Sequence, residues 1–397
     1  MIFAAFRIRS YRFQWGADLF TSWASEMEVL ILGWVVLVTT DSAFVLAALG
    51  ALHFGGTLVS PYVGVIADRV DRRTMLIVLR STYGALAAVI MVLGLSGKVE
   101  PWQLLVIAGT SGLIRPFDLI VRNALIADTV PVSGLRNALG FSRTTMDSAR
   151  IMGALMGAGL LSAIGLGPAY GAVVGFYLAS VGFSLGINVR RTEPPSTRHP
   201  WSELKSGFAY MRKEPVILAA MSFAFLANLT ALPVSHGLLP VIARDVYATD
   251  EIGLAHLVAG FAVGALVGSL ITATLFRTVR PGRMMVFFIA LWHVLVAIFG
   301  QTETAPSGLV LMIVIGMVQS FGMVSMSVLL FTITDVSYRG RMAGVRMLAV
   351  YGLPMGLLAG GAMIEWVGVP TTFNVFAAIG IVGTGLIVAK WPAVLRV

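Results

Sequence analysis

Gly64-Val65-Ile66-Ala67-Asp68-Arg69-Val70-Asp71-Arg72-Arg73 is a charged knot wedged between two apolar runs. Ala43 to Ile66 lies upstream of it and Thr74 to Leu95 downstream. Each run reaches the length of about 20 apolar residues that a bilayer-spanning helix needs. The knot is therefore a short basic loop joining two membrane helices. Any polytopic protein could carry such a loop, so the rest of the chain has to say which kind of protein this is.

Composition settles the class. Hydrophobic residues make up 57% of the chain and charged residues 12%, with a mean hydropathy of +0.88. A soluble domain carries about 25% charged residues, so this chain cannot coat a water-facing surface. Segments of alternating polarity are absent, which excludes a barrel and leaves an all-α integral membrane protein. Arg7, Arg9 and Arg12 precede a first apolar run, Trp15 to Val38, that is too long for a cleavable signal peptide. Without cysteine there is no disulfide or thiol chemistry. The formal charge of +9 raises nucleic acid as a partner, but the placement of the charges argues against it.

Twelve spans are expected, at 15–39, 43–66, 74–96, 101–126, 137–163, 169–189, 216–240, 251–275, 284–302, 306–332, 341–365 and 369–390. The seventh is the weakest, being interrupted by Pro233 and Pro240. With the N-terminus in the cytoplasm, the loops on that side hold Arg69, Arg72, Arg73, Arg136, Arg190, Arg191, Arg198, Lys205, Arg212, Lys213, Arg277, Arg280, Arg283, Arg339 and Arg341. The opposite loops hold Lys98 and Arg244. This is the asymmetry of the positive-inside rule, and it explains the basic charge as topology, with both termini cytoplasmic in an inner (plasma) membrane. The longest polar stretch, 190–215, carries Pro194, Pro195 and Pro200, and Trp201 to Met211 is expected to form a short amphipathic helix on the inner surface. It divides the chain into two six-helix bundles, 1–189 and 216–397.

The two halves echo each other. Arg136-Asn-Ala leads into a span carrying Gly153, Gly157 and Gly159 and ending Ala-Ile-Gly165; Arg341-Met-Ala leads into one carrying Gly352, Gly356 and Gly360 and ending Trp-Val-Gly368. Glycine at four-residue spacing lets membrane helices pack at close range. Matched halves suggest the repeat architecture of secondary transporters, with a substrate site near the midplane between the bundles.

The knot, with Gly64, then Asp68-Arg69, then Arg72-Arg73 at the end of the second span, resembles the loop signature of the major facilitator superfamily. Phe117-Asp118 through Arg122 and Asp128 to Pro131, the opening Arg9-Ser-Tyr-Arg12-Phe, Trp34, and Arg339-Gly340-Arg341 resemble its drug:proton antiporter branch, which includes enterobactin-exporter-like proteins. The resemblance covers nearly the whole chain and implies the twelve-helix major facilitator fold. It implies that Gly64 allows close helix approach and that Asp68, Arg69, Arg72 and Arg73 latch the cytoplasmic helix ends; the expected membrane depth of Arg122 and Arg341 makes them the candidate partners of Asp68. The chain also departs from the pattern. Gly153-Ala154 lacks the proline of the antiporter signature, Asp147 stands where relatives often have an amide, and Glu26 and Glu28 where they often have an aromatic or an amide. The second copy of the loop, with Arg277, Arg280 and Arg283, has no acidic partner.

Charges inside a membrane are expensive and mark function by default. Span one holds Asp18, Glu26 and Glu28; span four holds Arg115, Asp118 and Arg122; span five holds Arg143, Asp147 and Arg150. Two residues on a helix are about 200° apart, so one of Glu26 and Glu28 faces the cavity and the other a neighbouring helix. Asp118 sits three residues from Arg115 and four from Arg122, so either can pair with it along the helix. Arg143, Asp147 and Arg150 are expected to be a structural ion-pair set. A carboxyl in an apolar cavity takes up a proton more readily than one in water, and a neighbouring Arg115 would oppose this until substrate binds. The proton-coupling and substrate candidates are therefore Glu28 first, then Glu26, Asp118 and Arg115.

The C-terminal half offers a more apolar wall, with Asn228, His236, Gln319 and Met323 as cavity candidates, and flexible methionines suit varied apolar ligands. No nucleotide motif, metal-ligand spacing or nucleophile elbow stands out, so no cofactor, no metal and no enzymatic activity are expected. The chain is expected to act as a monomer, to export a small amphiphilic organic compound in exchange for protons, and to bind no nucleic acid. An uptake permease or lysolipid flippase on the same fold, or a membrane sensor, are the alternatives.

Overall fold

The computed structural model describes residues 4–59, 70–188, 200–275, 280–335, 338 and 349–397. Every regular element among the described residues is helical. In the first half these are α1 Arg9–Thr40, α2 Ala43–Gly55, α3 Arg72–Ser96, α4 Pro101–Thr129, α5 Val132–Ile164 and α6 Leu166–Leu185. After a surface helix, α7 Pro200–Lys213, come α8 Pro215–Thr230, α9 Glu251–Leu275, α10 Pro281–Phe299, α11 Ala305–Ile333 and α12 Gly352–Lys390. Among the described residues, eight helices are long and apolar enough to cross a membrane, with α2 and α8 shorter apolar helices beside them.

The chain's own punctuation sets the helix ends. Ser42 and Asp71 cap α2 and α3 by accepting from the Val45 and Thr74 amides at 3.1 and 2.8 Å, which satisfies donors a helix start leaves free. Pro101, Pro215 and Pro281 sit in first turns, where a missing N–H costs nothing. The run 216–240, expected as one span, is broken: α8 stops at Thr230, and short turns at Leu232–His236 and Leu239–Val241 and a π-turn at Ile242–Val246 follow. Pro233 and Pro240 each remove a helix hydrogen bond and clash with the preceding turn. Within α12, Gly368 takes φ 78° and breaks the helical path.

Each half has an apolar core of its own. One joins Met27, Ile31, Ala87, Leu104 and Tyr170; the other joins Ile217, Phe223, Met285 and Leu329. A third is shared, with Leu30, Trp34 and Leu46 packed among Leu239, Leu257 and Leu357. Across the halves, α2 lies on α12 and α5 on α9.

The matched glycines fall on equivalent crossings. A Cβ on Gly153 or Gly157 would meet the backbone of α1 around Trp23 and Met27, and one on Gly352 would lie 2.6 Å from the Phe225 carbonyl of α8, with Gly356 pressed on Leu229. A Cβ on Gly159 would meet no neighbour, so this position does not require glycine for close approach. Outward faces remain apolar, as at Leu95, Leu178, Phe287 and Leu386, which fits lipid as their solvent.

Candidate functional site

The crossing of α2 and α4 builds the first part of the site. Gly56 is pressed onto the Gly112 carbonyl, and a Cβ on Gly112 would lie 2.8 Å from the His53 carbonyl oxygen. Only glycine permits this approach. One turn further along α4, Arg115 is thereby brought against His53, with an Nη1 hydrogen bond to imidazole Nε2. The guanidinium also lies 5.2 Å from the Phe54 ring centroid. Pro116, the next residue, interrupts the α4 hydrogen-bond ladder here. His53 escapes sequence reading because it is the one polar side chain of α2, with its partner 62 residues away.

Behind this crossing lies a buried quartet. Arg80 of α3, fully buried, bonds Asp18 of α1, reaches Asp118 of α4 at 3.5 Å and donates to Ser184 of α6 at 2.9 Å. Arg122 lies 3.0 Å from the second Asp18 oxygen and donates to Ser22 at 3.1 Å. Gln14 donates to the Arg122 carbonyl at 2.9 Å. Asp118 therefore pairs with neither Arg115 nor Arg122 along its own helix. Its carboxylate turns to α3, and Arg122 turns to α1. Helical spacing allows such pairs, but the two cations find carboxylates better placed on other helices.

Glu28 and Glu26 diverge as their spacing requires. Glu28 is buried toward α6, where the Tyr177 hydroxyl donates to it at 2.5 Å, and Tyr177 is stacked on Tyr83 with centroids 5.5 Å apart. Glu26 points toward α5, 3.8 Å from Arg150. Arg143 keeps Asp147 at 3.2 Å within α5, so the expected three-member set is split, with Arg150 committed to α1.

Two adjoining cavities open onto these groups. The larger lies between the chain halves and is lined by Glu26, His53, Arg115 and Arg150 together with Leu30, Phe54, His236, Leu239 and Phe261. The smaller is inside the first half and is lined by Glu28, Tyr83, Asp118, Arg122 and Tyr177. Glu26, His53 and Arg115 form the wall common to both. Glu28 does not reach the larger cavity, and Glu26 does. Of the cavity candidates in the second half, His236 lines the larger cavity, while Asn228, Gln319 and Met323 line a separate one beside Trp292.

At the end of the bundle where α1 turns into α2, the halves are clasped. Arg244 donates to the Leu37 carbonyl at 2.8 Å and to Asp41 at 2.7 Å. Its bond to Asp245 and the charge of Asp41 raise the guanidinium's pKa. Glu365 accepts from the Ser42 hydroxyl at 2.5 Å and the Phe44 amide at 3.0 Å, an anion set at the start of α2 where the helix dipole favours it. Toward the other end, the Tyr351 hydroxyl donates to the Thr57 carbonyl at 2.9 Å. In the loop signature, Arg72 pairs with Asp128 of α4 at 2.7 Å and Arg73 donates to the Leu185 carbonyl of α6 at 2.5 Å. Gly64, Asp68, Arg69 and Arg341 lie outside the described residues.

A multi-pass helical bundle with a cavity between its halves, lined by paired and unpaired charges, defines a membrane transporter. A sequence profile of the Major Facilitator Superfamily matches residues 19–357, and the chain belongs to that family. It is 26% identical to the enterobactin exporter EntS of Citrobacter koseri over 305 residues, 75% of this chain and 70% of that one. It is 23% identical to macrolide efflux protein A of Streptococcus pyogenes over 273 residues, 65% of this chain and 66% of the relative. Among solved structures, the POT family transporter PepTSo superposes with a TM-score of 0.78 at 14% identity, covering 98% of each chain. The nucleoside transporter NupG gives 0.74 at 16% identity, covering 96% of this chain and 99% of that one. At these identities the structural likeness establishes the fold.

Proposed function

We propose that this chain is a proton-coupled exporter of a small amphiphilic compound, working by alternating access between two six-span bundles, 1–189 and 216–397, joined by 190–215. Both termini lie in the cytoplasm in this reading, and the protein sits in the inner membrane. The observation that carries it is the shared wall of the two cavities. An amphiphile in the larger one and a proton on Glu28 in the smaller one would both act on Glu26, His53 and Arg115. Two relatives whose names describe efflux of macrolides and export of enterobactin favour the outward direction.

The test is flux in proteoliposomes loaded with a pH indicator. Dansylglycine, dansylglycinamide and dansyl-ethylenediamine present one apolar body with an anionic, neutral or cationic head. A transporter of this kind should move protons when at least one of them is added. Silence with all three would favour the sensor reading.

Alternation also requires the Arg244 and Glu365 clasp to open. The double variant Arg244→Gln, Glu365→Gln should favour the state open at that end. The chain has no cysteine, so a single Cys at Gly33, which lines the larger cavity, can report access. Its labelling by an impermeant maleimide from outside should rise several-fold in the variant; unchanged labelling would remove the clasp from the mechanism.

A further inference from the structure

We infer that Arg115 seats the anionic group of the cargo, which makes the transported class amphiphilic anions with a carboxylate-like head. The inference rests on the transport reading of the larger cavity and adds the chemistry of the ligand. Each of the other guanidiniums around the two cavities has a carboxylate: Arg80 has Asp18 and Asp118, Arg122 has Asp18, and Arg150 has Glu26. Among the described residues Arg115 has none, and its neighbours are the His53 imidazole and the Phe54 ring.

The larger cavity is thus lined by two guanidiniums and one carboxylate. A cation without a counter-ion inside a membrane protein is costly and marks an ion or substrate pathway. The contact to His53 uses the imidazole nitrogen as an acceptor, so it leaves the positive charge in place and fixes the guanidinium at the cavity wall. Arginine carries five N–H donors, so others remain for a carboxylate, which can take two in parallel. The apolar body of the ligand would rest on Leu30, Leu239 and Phe261, which line the same space. A cationic cargo has no equivalent seat, because Glu26 is already opposed by Arg150.

The experiment is equilibrium fluorescence binding of the three dansyl compounds to the full chain in nanodiscs, without any gradient. Hydrogen bonds to a charged group predict dansylglycine to bind about 10- to 100-fold tighter than dansylglycinamide. Arg115→Gln should erase that preference, and Arg115→Lys should keep part of it, since lysine preserves the charge without the fork. The ligand-free Arg115→Gln protein should also melt no lower than wild type, because it loses an uncompensated cation. The inference is overturned if the amide or the amine binds as tightly as the acid, if the preference survives Arg115→Gln, if none of the three binds saturably, or if Arg115→Gln melts lower. Because binding is read without a gradient, loss of proton coupling leaves this result intact. Proton-driven flux of the neutral amide alone would retain the transporter and remove the anion seat.

Discussion

Replacing Arg80 with methionine is expected to destabilise the protein by about 3–5 kcal/mol, the cost of removing one partner from a buried ion pair. Arg80 is fully buried and ties α3 to α1, α4 and α6 through Asp18, Asp118 and Ser184. Its loss would leave Asp118 with no cation in contact among the described residues, and would leave Asp18 with Arg122 alone. Arg80→Lys should recover little, since one ammonium cannot serve two carboxylates and a hydroxyl in a fixed fork. Adding Asp118→Asn to Arg80→Met should recover part of the loss by removing the orphaned charge. Thermal unfolding in detergent measures all three. An Arg80→Met protein that melts with the wild type would mean that the quartet contributes nothing to holding the first bundle together. The same geometry weakens Asp118 as a coupling group, because a carboxylate held by Arg80 is already neutralised.

The helical membrane architecture is legible in the sequence because it rests on long-wavelength signals. Apolar run length, the Lys/Arg asymmetry and the glycine echo between Gly153 and Gly352 do not depend on any single contact. The charged network is legible only by halves. Asp18, Asp118 and Arg122 stand out as charges in apolar runs. Sequence spacing, though, can pair residues only within one helix, and it points Asp118 at Arg115 and Arg122. The actual partner, Arg80, lies 38 residues away in a span, 74–96, that holds no other charged residue. Spacing likewise assigns Arg150 to Asp147 within α5, while its carboxylate in the fold is Glu26 on α1.

His53 escapes notice for a related reason. Its meaning comes from the glycine crossing of α2 and α4, which sets it beside Arg115, and a crossing angle leaves no periodic trace. The rotation argument separates the contacts of Glu26 and Glu28, which turn to Arg150 of α5 and Tyr177 of α6, although both line the smaller cavity. It cannot say which goes where, because that depends on whether α5 or α6 packs on each face of α1.

Glu28→Gln should abolish pH-driven accumulation while leaving substrate exchange in place, and this is the outcome that would locate coupling. Glu28 lines the smaller cavity, and its contact is the Tyr177 hydroxyl. No cation is within ion-pair reach of it among the described residues. A charge buried without a counter-ion is unfavourable, so this carboxyl can exchange a proton as water reaches and leaves it, and glutamine fixes the protonated shape. Glu26 differs in that Arg150 sits opposite it at 3.8 Å and it faces the larger cavity. Glu26→Gln would strand Arg150 as a second uncompensated cation there. It should therefore change apparent affinity for the cargo more than the coupling ratio. In proteoliposomes with a one-unit pH gradient, one coupled proton can concentrate substrate about tenfold, since each unit is worth about 1.4 kcal/mol. Wild type and Glu26→Gln should approach that ratio at saturating substrate, and Glu28→Gln should remain near unity with unimpaired counterflow. If Glu28→Gln still concentrates substrate like wild type and Glu26→Gln does not, the proton travels on the cavity-facing glutamate. In that case Arg150, as the partner that Glu26 must leave to take up a proton, becomes the residue through which substrate binding is felt.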